Sequence, residues 1–271
     1  MSRFDPTTVD VEPEDIVAAF VRNDGMRANR GGFDPLAGLR SVALWEDAAP
    51  LVAFARLGHA LAHAPGSDDE RRVALDAWDD ALLDAYHGRA THPLFVALAA
   101  TVRRRQIPIG PLADLMLCFR AGATVRGFPD FAALETSCRL GAGSAARLVA
   151  HLAGESDEDA IARCEELAVA VRLVDIVADL GRDAAAGRVM IPQTELRAFG
   201  VTAPELTQGG TRACCELVAF QVARARAWLA RSKPAARLVV EPLRTVVVTT
   251  AERAEACLTA IEGGALDPFS G

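Results

Sequence analysis

The chain has 271 residues, 51% of them hydrophobic but only 6% aromatic, with 29 basic and 36 acidic side chains and a formal charge of −7. That length suits one large core, and mild acidity without a basic stripe argues against nucleic-acid binding. No apolar run reaches the roughly 18 residues that span a bilayer, and the acidic start "MSRFDPTTVDVEPED" lacks a signal-peptide layout, so no transmembrane segment and a cytoplasmic location are expected.

In chain order, residues 1–35 read as an N-terminal segment partly extended over the surface, and 36–265 as one all-α domain. Hydrophobic periodicity near 3.6 predicts helices at about 12–22, 47–64, 68–87, 92–105, 109–122, 129–140, 143–153, 157–186, 211–232 and 235–262. Gly- and Pro-bearing breaks such as "APG" (64–66) and "GFPD" (127–130) separate them. Ser67 and Glu70 form a capping box, which makes the acids of "SDDE" a helix start. In "DAWDDALLDAY" (76–86), Trp78, Leu82 and Leu83 with the preceding Leu75 define the buried face, placing Asp79, Asp80 and Asp84 mostly on the solvent side. Cys118, Cys138, Cys164, Cys214, Cys215 and Cys257 lack CxxC spacing and read as reduced core residues. "RTVVVTT" (244–250) has strand propensity, yet its flanks favour a helix.

Chemistry concentrates in "VRLVDIVADLGRDAAAGRVMIP" (171–192). Asp175, Asp179 and Asp183 recur every four residues, drifting about 40° per step, so they share a face of the helix. Leu173, Val174, Ile176, Val177 and Leu180 surround them. Burying such charges bare costs several kcal/mol each, so something cationic must offset them, and a divalent ion is one answer because Mg²⁺ favours hard oxygen ligands. The other answer is a solvated acidic edge paired with Arg172 and Arg182. Gly187 ends the helix and presents Arg188, a residue suited to an anion such as diphosphate.

Residues 172–196, "RLVDIVADLGRDAAAGRVMIPQTEL", resemble the second aspartate-rich motif of the squalene and phytoene synthase family, whose usual form runs Gln-Leu-Thr-Asn, Asp-Val, Asp three residues on, then Gly-Arg-Ile-Tyr-Leu-Pro. Asp179 and Asp183 fall on its metal-binding aspartates, and Gly187, Arg188, Pro192 and Gln193 match its tail. Asp175 replaces the Asn, Arg172 the Gln and Met190 the Tyr. The stretches at 92–108, 117–148 and 199–206 resemble the bacterial members in order. The first aspartate-rich motif is missing. Phe54 and Arg56 match its lead-in, but His59, Ala60 and His63 stand where its aspartates belong.

The resemblance implies an isoprenoid-synthase-type helical bundle around a central cavity, and a Mg²⁺-dependent prenyltransferase. Asp179 and Asp183 would be catalytic, holding metal with Asp175, while Arg56, Arg120 and Arg188 would bind diphosphate. His59 and His63 would line a pocket for an acceptor without diphosphate, although packing or a transition-metal pair are further readings of two histidines one turn apart. Loss of one motif most resembles the branch that prenylates carbazoles, so the expected partners are a short donor, dimethylallyl diphosphate, and an aromatic acceptor. Head-to-head condensation of two prenyl diphosphates, or a non-catalytic relative, are the alternatives.

Overall fold

The computed structural model describes residues 44–270 apart from Pro242. The predicted N-terminal segment and the helix at 12–22 lie outside the described residues. Helices α1 (Trp45–Ala62), α2 (Asp68–Tyr86), α3 (Pro93–Arg105) and α4 (Gly110–Thr124) come first, followed by α5 (Phe131–Cys138), a π-helical turn (Arg139–Gly143) and α6 (Ser144–Leu152). Then come α7 (Glu158–Ala178), α8 (Leu180–Ala185), α9 (Gln193–Phe199), α10 (Ala203–Gln208), α11 (Arg212–Ser232), α12 (Ala235–Leu238) and α13 (Leu243–Glu262). The all-α expectation holds: among the described residues the only β pairing is an isolated bridge between Gly127 and Val189.

The long helix α7 is the axis of the bundle. Ile161, Leu167, Val171, Leu173, Val174 and Val177 are buried on different sides of it, so it has no solvent stripe in its second half. It packs against α6, α11 and α13. A second layer forms where α1, α2, α3 and α4 meet around Phe54, which stacks on Trp78 at 5.8 Å and meets Phe95 edge-on. Such aromatic pairs add about 0.5–1.5 kcal/mol each beyond area burial. Buried Asp47 ties α1 to the end of α3 through Arg104 at 2.5 Å and Arg105 at 2.6 Å.

Helix ends follow their local chemistry. Ser67 and Glu70 form the predicted capping box, and "RTVVVTT" lies in α13, where packing of Val246 and Val247 outweighs strand propensity. The predicted helix 129–140 gives way to the π-helical turn at Arg139. The predicted helix 157–186 is broken at Asp179, and 235–262 divides into α12 and α13. Helices α9 and α10 fall in a stretch where the periodicity gave none. All six cysteines are free, but Cys215 is exposed and Cys118 only half-buried, so the core reading holds for the other four. No helix among the described residues is long and apolar enough to cross a membrane.

Candidate functional site

A cavity of 340 Å³ opens between α1, α4, the π-helical turn, α6, α7 and α13. Its walls are aliphatic: Leu51 and Val52 of α1, Leu148 and Leu152 of α6, Leu167 and Val171 of α7, Val246 and Val247 of α13. The π-helical turn contributes Ala142, and such turns widen a helix by one residue, which here brings a small side chain to the cavity. Charge enters the lining at one place, where Arg56 of α1 stands with Arg172 and Asp175 of α7.

The acidic stripe starts there. Asp175, Asp179 and Asp183 are buried at 5%, 3% and 9% exposure, so the solvated-edge reading fails. The cations that offset two of them are the chain's own. Asp179 pairs with Arg182 at 2.5 Å and Asp183 with Arg188 at 2.6 Å. Asp179 caps α7 with φ −102° and ψ 13°, so the stripe bends between Asp175 and Asp183.

Arg188 owes its position to Gly187. With φ +75°, a backbone region L side chains avoid, Gly187 folds the chain back so that the Arg188 amide donates to the Asp183 carbonyl at 2.8 Å. The strand beyond is pinned to the loop before α5. Val189 N–H donates to the Arg126 carbonyl at 3.1 Å and Gln193 N–H to the Phe128 carbonyl at 2.9 Å.

His59 and His63 lie one turn apart on α1 with ring centroids 4.4 Å apart. Both are exposed and neither lines the cavity, so the expected acceptor pocket does not include them, although cationic side chains stand near. Burial first, then His63, Arg172 and Arg188, drive the His59 imidazole down to about 4. Burial, then Arg188, Arg126 and Arg71, lower His63. Both shifts favour the neutral imidazole, and among the described residues no group of three His, Cys, Asp or Glu side chains, the aspartate trio included, is arranged to hold a metal ion by itself.

Arg120, expected on the diphosphate, is engaged elsewhere. It holds Asp76 and, at 2.9 Å, Asp79 of α2. That pairing also corrects the reading of Asp79 as a solvated acid, whereas Asp80 is exposed as expected and half-buried Asp84 pairs with Arg89 at the surface. Arg56 and Arg188 do stand by the acidic stripe. Arg182 pairs with Asp179 as its place in the sequence allowed, but the position of Arg172 in the cavity lining escaped sequence reasoning, which named it only as a pairing partner of the acids. The signal was its place among buried apolar neighbours.

Mg²⁺ is the ion the resemblance implies. The donor set does not suit an ion held by protein alone, because Asp179 and Asp183 each commit an oxygen to arginine. It does suit one shared with a substrate, since Mg²⁺ needs only one or two carboxylates plus phosphate oxygens and waters.

The family model for squalene/phytoene synthase matches residues 43–269. Chloroplastic phytoene synthase 3 of Zea mays is 27% identical over 240 residues, 85% of this chain and 55% of that protein. Phytoene synthase of Arthrospira platensis is 25% identical over 246 residues, 84% of this chain and 77% of that one. The chain spans about half the length of the plant relatives it matches, 55% and 41% for two of them. Among solved structures, squalene synthase HpnC from Alicyclobacillus acidocaldarius superposes with a TM-score of 0.81 at 24% identity, covering 95% of each chain. A dehydrosqualene synthase in complex with ligand gives 0.79 at 19% identity, covering 96% of this chain and 89% of that one. These likenesses show an isoprenoid-synthase helical fold. With the family model matching nearly all of the described residues, the chain belongs to the squalene/phytoene synthase family.

Proposed function

We propose that the protein is a prenyltransferase that binds one allylic diphosphate at the Asp175–Asp179–Asp183 wall and passes its prenyl group to a neutral, electron-rich aromatic acceptor, of which a carbazole is an example. The observation that carries this reading is the asymmetry of the site. Three buried carboxylates, two of them paired with arginines, stand along residues 175–183, whereas His59 and His63 occupy the places on α1 where the first aspartate-rich motif would put acids.

In this reading Arg56, Arg172 and Arg188 receive phosphate oxygens, and Asp179 and Asp183 would help hold a Mg²⁺ ion, which when bound would supply charge to stabilise the leaving group. The carbon–oxygen bond breaks with its electron pair leaving on diphosphate. The aliphatic cavity walls keep water from the allylic cation. A π pair of the acceptor forms the new carbon–carbon bond, and the ring proton leaves to diphosphate or a carboxylate.

Size supports one prenyl group at a time. A 150 Å³ cavity takes benzene, about 25 Å³ per carbon, so 340 Å³ takes about 14 carbons. Two farnesyl chains carry 30. Dimethylallyl leaves room for much of an aromatic ring system.

Head-to-head condensation is the second reading, favoured by relatives named phytoene synthase and squalene synthase. It requires a second diphosphate on the histidine wall and a wider cavity. Incubation with Mg²⁺ and dimethylallyl diphosphate, with and without carbazole, against farnesyl diphosphate alone, separates the two. Carbazole-dependent diphosphate release with a prenylated ring supports the first reading, and a C30 product from farnesyl diphosphate alone replaces it with the second.

A further inference from the structure

The acidic stripe bends at Asp179, and a distant piece of chain holds the bend. In an unbroken helix the Gly181 amide would donate to the Val177 carbonyl. It donates instead to the carbonyl of Pro268 at 2.9 Å. A foreign group inserted in the i→i−4 ladder is a known cause of a sharp helix break. The rungs two residues to either side remain, with Asp179 N–H on the Asp175 carbonyl and Asp183 N–H on the Asp179 carbonyl, both at 2.9 Å.

The approach is close at two glycines. A Cβ at Gly181 would stand 2.3 Å from the Phe269 carbonyl oxygen, so no larger residue lets the two backbones meet. The Phe269 ring fills the space over Gly209, where a Cβ would lie 2.5 Å from it. Gly209 follows α10, which packs on α8. Pro268 is buried, and the segment is ordered by Leu266 N–H on the Ala260 carbonyl at 3.0 Å and Phe269 N–H on Asp267 Oδ1 at 3.0 Å. The segment is thus anchored to α13 and wedged between α8 and the turn after α10.

We propose that Pro268 and Phe269 are positioning residues for the diphosphate site, strapping α8 at the angle that turns Asp179 and Asp183 toward a ligand shared with Asp175. The proposal rests on the diphosphate reading above. Without the strap the Gly181 amide would return to Val177 and the helix would straighten, spreading the acids along its surface and moving Arg182 and Arg188 with them.

The test compares wild type, Phe269→Ala, Phe269→Leu and Gly181→Ala by calorimetric titration with inorganic diphosphate in Mg²⁺, far-UV circular dichroism and hydrogen exchange. Phe269→Ala and Gly181→Ala are expected to weaken diphosphate binding at least tenfold, with helix content unchanged and faster exchange confined to residues 178–186. Phe269→Leu, which keeps an apolar wedge, should stay within threefold of wild type. If Phe269→Ala does not fold, Gly209→Ala, which displaces the ring without removing it, takes its place with the same expectation. Binding by the wild type that Phe269→Ala leaves within twofold overturns the strap alone, as does unchanged exchange at 178–186. No diphosphate binding by the wild type overturns the diphosphate reading itself.

Discussion

Asp179→Asn separates the chemical role of the stripe from its structural one. The substitution keeps shape and one oxygen but removes the charge paired with Arg182 at 2.5 Å. Stranding one partner of a fully buried pair costs 3–5 kcal/mol. Arg182 is 33% exposed, however, so water can solvate it once released and the cost falls toward the 1 kcal/mol of a surface pair. In a domain of this size that lowers Tm by about 2–4 °C. The effect on turnover is of another order, because removing one group aimed at developing charge typically costs 10²–10³ in kcat, about 2.7–4 kcal/mol. Thermal melts by circular dichroism and diphosphate release from dimethylallyl diphosphate measure the two effects on the same preparation. A small Tm shift with at least a hundredfold loss of turnover is expected. Turnover within threefold of wild type refutes the site, and a Tm fall beyond 10 °C assigns Asp179 to the fold instead.

Further outcomes follow from other residues. Asp80→Ala, at an exposed position of α2, should change stability by less than about 0.5 kcal/mol and leave turnover intact, and a large loss would place the chemistry on the wrong acids. His59 should titrate near 4 by NMR. Because its folded value is depressed, the unfolded chain takes up the proton first, so its contribution to stability is present above about pH 6.5 and is lost as pH falls toward 4; titration near 6.5 would contradict the crowded cationic surroundings. Val246→Phe narrows the cavity between α13 and α6 and should reduce binding of farnesyl diphosphate at least tenfold while sparing dimethylallyl diphosphate. Equal binding of both, unchanged from wild type, would show that the prenyl group lies elsewhere.

Much of this was legible in the residues. The spacing of Asp175, Asp179 and Asp183 among Leu, Val and Ile announced buried acids on one helix, and "SDDE" announced a helix start. Gly187 before Arg188 announced the turn that returns Arg188 to Asp183. What the sequence hid was long-range. Nothing local to "DIVADLGRD" says that a carbonyl from residue 268 takes the rung of Gly181, so periodicity ran the helix straight through Asp179. Arg120 was drawn to the site by likeness, but Asp76 and Asp79 of a neighbouring helix claim its guanidinium. The capping box Thr202–Glu205 was present in "TAPE" and marks α10, although a six-residue helix gives too few periods for its apolar face to register. The need for a cation beside the acids was read correctly from electrostatics, and the side chains meeting it for Asp179 and Asp183 are arginines next to them in sequence.

The count of diphosphates per chain tests the central claim most directly. Titration of the wild-type protein in Mg²⁺ with a non-ionising thio analogue of dimethylallyl diphosphate should give one site per chain, abolished by Asp183→Asn and retained in His59→Ala. Two sites per chain, or one that His59→Ala removes and Asp183→Asn does not, would contradict the single acidic wall.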